Sequence, residues 1–272
     1  MDLLEDKYRK LEELLKECGR VLVAYSGGTD SAFLLAVAAR VLADRVLAVT
    51  AVSATSTAAE VREAKELARQ LGVRHLVVRS GEMQHREFIE NSPLKCYYCK
   101  QLRFSHLQEI ARQNKIPWVL DGSNLDDLQD YRPGLQAVKE LGVRSPLREV
   151  GLTKADIRAL SRQLELPTWN KPSAPCLASR IPYGEEISEE KLRRVEEAEQ
   201  FLKSLGFSPV RVRHPRGEAR VEIAREQFLQ LTGLAETVTR QLKELGFARI
   251  TLDLCGFRSG SLNEELSNYK GS

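Results

Sequence analysis

Apolar positions along this chain switch between two periods. Leu3, Leu4, Tyr8, Leu11, Leu14 and Leu15 recur at helical spacing in the charged stretch from Met1 to Cys18, which predicts an amphipathic helix. Residues 20–25 form a short apolar run ending at Ser26-Gly27-Gly28, and helical spacing resumes over 32–42, so strand, tight loop and helix follow in order. Further strands are expected at 45–52, 75–79 and 117–121, and helices at 57–71 and 100–113. Residues 145–148 are expected to close the sheet, and 153–164 to form a helix capped by Thr153 with Asp156 in its first turn. Strands alternating with helices predict an α/β fold, a doubly wound parallel sheet covered on both faces. Ligands of such sheets sit beyond the carboxyl ends of the strands, which points to the loops after Tyr25, Val52, Arg79 and Asp121.

The periodicity fades over 166–184, which holds four of the ten prolines and reads as an ordered connecting loop. A second pattern begins at Ser188: a charged helix to about residue 205, a strand at 210–213, another at 219–224, a helical region to Leu245 and a strand at 248–254. These predict a small C-terminal α+β domain for substrate binding or oligomerisation, giving domains 1–184 and 185–272.

Composition adds exclusions. With 42% hydrophobic and 29% charged residues the chain is that of a globular protein, and 41 basic against 38 acidic residues leave a net charge of +3, too little for nucleic-acid binding by bulk electrostatics. The most apolar stretch, 32–49, is broken by Arg40, Asp44 and Arg45 and cannot span a bilayer, while the N-terminal helix has no signal-peptide pattern. No membrane contact and a cytoplasmic location are expected. Five cysteines, Cys18, Cys96, Cys99, Cys176 and Cys255, argue against a disulfide framework in such a chain and for metal binding or catalysis by any clustered pair.

Ser26-Gly27-Gly28-Thr29-Asp30-Ser31 leaves a strand and opens a helix, so backbone N–H groups, the helix dipole and two hydroxyls converge where a phosphate chain can rest. The loop is neither a Walker A loop, lacking Gly-Lys-Ser/Thr, nor a Gly-x-Gly-x-x-Gly fingerprint. An ordinary Gly-Gly turn is the plain alternative. The loop resembles the PP-loop of the ATP pyrophosphatases (a HUP-like fold), which transfer AMP to an acceptor. That resemblance implies that Ser26, Gly27, Gly28, Thr29 and Ser31 hold the phosphates of ATP and that Asp30 places Mg2+.

Other segments narrow the resemblance. Asp121-Gly122-Ser123-Asn124 with Asp126 and Asp127, Tyr131-Arg132-Pro133-Gly134, Ser145-Pro146-Leu147-Arg148 and the run from Lys171 through Pro175-Cys176-Leu177 to Arg180 and Gly184 are similar to the LarE family. These are ATP-dependent sulfur transferases of nickel-pincer nucleotide biosynthesis. The resemblance spans nearly the whole chain and implies adenylation of a carboxylate of pyridinium-3,5-biscarboxylic acid mononucleotide, then its conversion to a thiocarboxylate. It brings Gly122 and Lys100 into the expected cofactor-binding set, and it implies a homo-oligomer.

In that family a cysteine of the Pro-Cys-Leu segment attacks the acyl-adenylate and gives up its own sulfur; Cys176 matches it, with Lys171 and Arg180 nearby in sequence to favour the thiolate. This chain also has Lys95-Cys96-Tyr97-Tyr98-Cys99-Lys100, expected in the loop after the third strand. Cys96, Cys99 and Cys176 resemble the subset in which three thiolates hold a [4Fe-4S] cluster, fed by a sulfide donor. The alternatives are a structural zinc with His85 or His106, a redox disulfide, or idle thiols. Cys18 and Cys255 are expected to be buried small residues.

Arg211 and Arg213 alternate on a predicted strand and so share a face, as a phosphate or carboxylate requires; the family has a comparable arginine pair, and Arg258 is a weaker candidate. A solvated strand face is the competing reading. His75, His85, His106 and His214 form no metal or triad pattern. The rival functions are an ammonia-using PP-loop ligase, a tRNA thiolase, for which the chain shows no appended RNA-binding domain, and a non-catalytic nucleotide sensor or iron–sulfur carrier.

Overall fold

Four of the predicted apolar runs pair as parallel strands in the computed structural model, which describes residues 3–129, 133–172, 175–258 and 262. Strands β1 (Val21–Ala24), β2 (Val46–Val52), β3 (Arg74–Arg79) and β4 (Trp118–Leu120) lie in the order β3-β2-β1-β4. Val21 pairs with Val46 on one side and Trp118 on the other. The order reverses between β1 and β4, so the loop after β1 occupies the switch point of a doubly wound sheet.

The connecting helices are α1 (Leu3–Cys18), α2 (Thr29–Leu42), α3 (Ala58–Gln70), α4 (Arg86–Ile89), α5 (Lys95–Gln113), α6 (Pro133–Glu140), α7 (Pro146–Glu149) and α8 (Lys154–Gln163). Side-chain alternation along the strands divides the core between two faces. Val21, Val23, Ala48 and Leu120 pack with Leu11, Leu15, Phe33, Leu34, Leu67, Ile157 and Leu160 of α1, α2, α3 and α8. Leu22, Leu47, Val49 and Val119 pack with Phe104, Leu107, Ile110 and Ala111 of α5. Thr57 and Thr153 form capping boxes with Glu60 and Asp156, which starts α3 and α8 where the sequence signals them.

Two expectations are corrected. Residues 145–148 are no strand: Pro146 lacks the N–H a ladder needs and its fixed φ suits the first helical turn, so the segment enters α7, and only an isolated bridge from Arg144 to Leu120 extends the sheet. Helix α5 starts at Lys95, five residues before the expected position, so Cys96 and Cys99 stand on a helix rather than in a loop. Among the described residues no helix is long and apolar enough to cross a membrane.

The chain divides into two compact units, Met1–Glu82 with Cys96–Ala174, and Met83–Lys95 with Pro175–Ser272. The Cys176 segment, assigned from sequence to the first domain, thus groups with the second unit. There α9 (Glu189–Ser204), capped by Ser188, and the helices α10 (Phe228–Gly233) and α11 (Ala235–Glu244) accompany strands β5 (Val210–Arg213), β6 (Ala219–Ile223) and β7 (Ile250–Leu252). The sheet order is β5-β6-β7, antiparallel then parallel, over a core of Leu202, Phe207, Val212, Val221, Leu242 and Phe247. This is the small α+β module expected C-terminally.

Candidate active site

The loop after β1 is shaped by one obligatory glycine. Gly27 has φ +76°, and a Cβ there would lie 3.1 Å from Ala64 Cβ on α3, so both backbone handedness and close packing require glycine. Gly28 is extended at the N-cap of α2, leaving the first-turn N–H groups without intrahelical partners. Ser26 Oγ and Ser31 Oγ are 3.0 Å apart, and Ser31 Oγ is 3.2 Å from the Gly28 carbonyl it donates to. Thr29, expected among the phosphate ligands, turns its hydroxyl away: it is buried and donates to the Thr168 carbonyl at 2.8 Å.

Asp30 follows in the first turn of α2. Asn124 Nδ2 donates to its Oδ2 at 3.1 Å, while Oδ1 is buried with no hydrogen-bond partner among the described residues. Burial raises its pKa, the Lys154 ammonium opposes this, and the Asp127 carboxylate adds to the rise. Asp127 Oδ2 accepts from the Asn124 backbone N–H and Asp126 Oδ2 from that of Lys154, so the loop after β4 is tied down around Asp30. Gly122 contributes by close approach: a Cβ there would sit 2.9 Å from Ser31 N, against the backbone of α2. Tyr131 and Arg132 of the quoted motif lie outside the described residues.

On α5, Cys96 is exposed and Cys99 partly so, and their i,i+3 spacing places them on one face of the first two turns. Lys100 Nζ lies 4.9 Å over the Phe104 ring, and its stem packs where a Cβ on Gly134 would be. One turn beyond Cys99, Arg103 pairs at 2.5 Å with Glu82, a fully buried carboxylate that also accepts from Ser53 Oγ at 2.6 Å. Burial alone would raise the Glu82 pKa; the Arg103 guanidinium, with hydroxyls of Ser53 and Ser80, outweighs it and brings the value to about 2.

In the second unit Cys176 is exposed at the start of a short 3₁₀ turn, Leu177–Arg180. Arg180 is turned away from thiol activation. Its Nε and Nη2 donate to Glu199, and Nη1 to the Pro175 carbonyl at 2.7 Å and to Ser179 Oγ, so it shapes the backbone that carries Cys176. Lys171 likewise points elsewhere, to Gly27 and Glu63 in the first unit. Arg213 is buried against Glu222 at 2.9 Å and donates to the Ser179 carbonyl. Arg211, also buried, has no carboxylate in hydrogen-bonding range among the described residues; it lies 4.5 Å over the Phe257 ring and donates to the Arg258 carbonyl. Burial, reinforced by the Arg180 and Arg213 charges, lowers its pKa to about 10.

His75 meets Thr50 Oγ1 at 2.7 Å, and His214 is buried against Phe247 with both ring nitrogens unpartnered. Cys18 is buried as expected, whereas Cys255 is exposed. Among the described residues no group of three or more His, Cys, Asp or Glu side chains is gathered as a metal site. Sequence reasoning missed the parts played by Asn124, Lys171 and the Glu82–Arg103 pair. Asn124 was legible as part of the Asp-Gly-Ser-Asn run; for Glu82 and Arg103, 21 residues apart, no local signal exists.

Comparison with known proteins agrees with this geometry. Residues 3–129 match the PP-loop domain family. The chain is 44% identical over 268 residues to an uncharacterized protein of Synechocystis sp., covering 97% of this chain and 100% of that one. It is 40% identical over 268 residues to the pyridinium-3,5-bisthiocarboxylic acid mononucleotide synthase of Lactiplantibacillus plantarum, covering 98% and 97%. An uncharacterized protein of Methanocaldococcus jannaschii is 29% identical over 258 residues, covering 93% and 98%. Similarity to the synthase over almost the full length of both proteins, on a sheet whose switch point carries the phosphate loop, makes this chain a member of the LarE family of ATP-dependent PP-loop enzymes.

Proposed function

We propose that this enzyme adenylates a carboxylate of pyridinium-3,5-biscarboxylic acid mononucleotide and replaces the activated oxygen with sulfur, a reading supported by its similarity to a relative named as a pyridinium-3,5-bisthiocarboxylic acid mononucleotide synthase. The observation that carries the reading is the phosphate loop with Asp30 beside it. A free carboxylate is a poor electrophile. Its oxygen attacks the α-phosphorus of ATP, the bond to the bridging oxygen breaks, and pyrophosphate leaves with the electron pair. The first-turn N–H groups of α2, with Ser26 and Ser31, bind the leaving phosphates. Sulfur then attacks the acyl carbon and AMP departs.

The orphaned, buried Asp30 Oδ1 fits a Mg2+ ion, which when bound neutralises phosphate charge. Arg211 supplies a desolvated cation for the mononucleotide phosphate, while Arg213 and Arg258 frame it. To this reading we assign Cys96 and Cys99, at i,i+3 on one helix face, and the exposed Cys176 as the thiolates that would hold a [4Fe-4S] cluster able to carry sulfide. Lys100, on the turn after Cys99, is assigned to the same ligand face. Homo-oligomerisation, a separate sulfide donor and a cytoplasmic location belong to this reading.

Anaerobic purification with iron, acid-labile sulfide and zinc assays tests it, comparing wild type with Cys96→Ala/Cys99→Ala. About four irons per chain, lost in the variant, support cluster-borne sulfide. No iron after reconstitution, with Cys176 converted to dehydroalanine during turnover, replaces it with sacrificial donation. Full activity in Cys176→Ala points to an ammonia-using ligase, and salt-sensitive tRNA binding to a tRNA thiolase.

A further inference from the structure

The phosphate loop lacks the lysine that a Walker A loop carries within its own sequence, and the fold delivers one from far downstream. Lys171 Nζ lies 3.0 Å from the Gly27 carbonyl and 2.7 Å from Glu63 Oε2 of α3. The segment is strapped to the loop a second time, where Thr29 Oγ1 donates to the Thr168 carbonyl at 2.8 Å.

Two features suit this ammonium to more than bracing. It has three N–H donors, and among the described residues two are used, leaving one for a ligand. Its carboxylate partner is weakly held: Glu63 is 61% exposed, so the ion pair is screened and yields to a ligand of higher charge. On the other side of the same trans peptide the Gly28 N–H faces Ser26 Oγ at 3.4 Å, inside the loop, while the ammonium braces the Gly27 carbonyl.

We propose that Lys171 is a further ligand-binding residue of the phosphate loop: it exchanges Glu63 for the pyrophosphate moiety of ATP and stabilises the pyrophosphate as it leaves. This rests on ATP use at the loop but not on the identity of the acceptor.

The test uses the full chain and inorganic pyrophosphate with Mg2+ as probe, read by calorimetry, beside steady-state pyrophosphate release from ATP. Lys171→Met is expected to weaken pyrophosphate binding about tenfold and to lower kcat by about tenfold or more, with Lys171→Arg recovering most of both. Glu63→Gln, which removes the competitor, is expected to leave pyrophosphate binding equal to or tighter than wild type. A purely bracing lysine predicts instead that Lys171→Met and Glu63→Gln both weaken binding, and that result overturns the proposal. Binding within twofold of wild type in a folded Lys171→Met also overturns it. Should Lys171→Met fail to fold, Glu63→Gln still decides: pyrophosphate binding weaker than wild type overturns the proposal. Absence of mononucleotide-dependent pyrophosphate release in the wild type would end the proposed acceptor chemistry and leave the binding comparison intact.

Discussion

Asn124 Nδ2 donates to Asp30 Oδ2 at 3.1 Å, fixing one oxygen of a buried carboxylate and leaving the other without a hydrogen-bond partner among the described residues. The arrangement costs stability and serves binding, because a desolvated carboxylate with one open oxygen favours a cation.

Asp30→Asn should therefore separate stability from activity. Burial raises the Asp30 pKa, so ionisation of this group opposes folding: its favourable contribution is present below the unfolded pKa and is lost as pH rises through the folded value. The variant is expected to melt at a higher temperature than wild type at pH 7 while pyrophosphate release falls by about 100-fold or more. Asn124→Ala should raise the Mg2+ concentration needed for half-maximal activity by about tenfold. Calorimetry and a Mg2+ titration of activity check both.

The Glu82–Arg103 pair should dominate acid sensitivity in the first unit. The folded pKa of Glu82 is depressed to about 2 from an ordinary 4.5, so its stabilisation is present above about 4.5 and is lost as pH falls toward 2. Glu82→Gln is expected to remove that part of the pH dependence. Arg103→Met, which strands a buried carboxylate, should destabilise by about 3–5 kcal/mol at pH 7. Denaturant unfolding followed by circular dichroism between pH 3 and pH 7 measures each.

Arg211 and Arg213, two residues apart on β5, should respond in opposite senses to loss of charge. Arg213→Met removes the guanidinium paired with the buried Glu222 and is expected to cost about 3–5 kcal/mol. Arg211→Met removes a cation that burial disfavours, so the fold should hold or gain stability while phosphate-bearing ligands bind about tenfold less tightly. Thermal shifts with and without the mononucleotide read both; a ligand-induced shift in Arg211→Met equal to that of wild type would exclude this arginine from the phosphate site.

Much of this enzyme is legible in its one-dimensional pattern. Short apolar runs alternating with helical periodicity specify the parallel sheet because both of its faces must be buried, and Ser26-Gly27-Gly28 between β1 and α2 marks the phosphate loop because only glycine takes the φ of +76° at Gly27 against Ala64. Thr57 and Thr153 announce their helices because a cap is a local hydrogen bond. What remained hidden depends on separation along the chain. Lys171 reaches Gly27 across 144 residues, Asn124 reaches Asp30 across 94, and Arg103 finds Glu82 one element away. The register of the small sheet sets Glu222 opposite Arg211, yet the carboxylate takes the Arg213 guanidinium, a choice made by side-chain packing and not by strand pairing. Sequence dictates where backbone conformation is local and where apolar surface must be covered; only tertiary packing decides which buried charge is paired, which is left open for a ligand, and which lysine meets the phosphate loop.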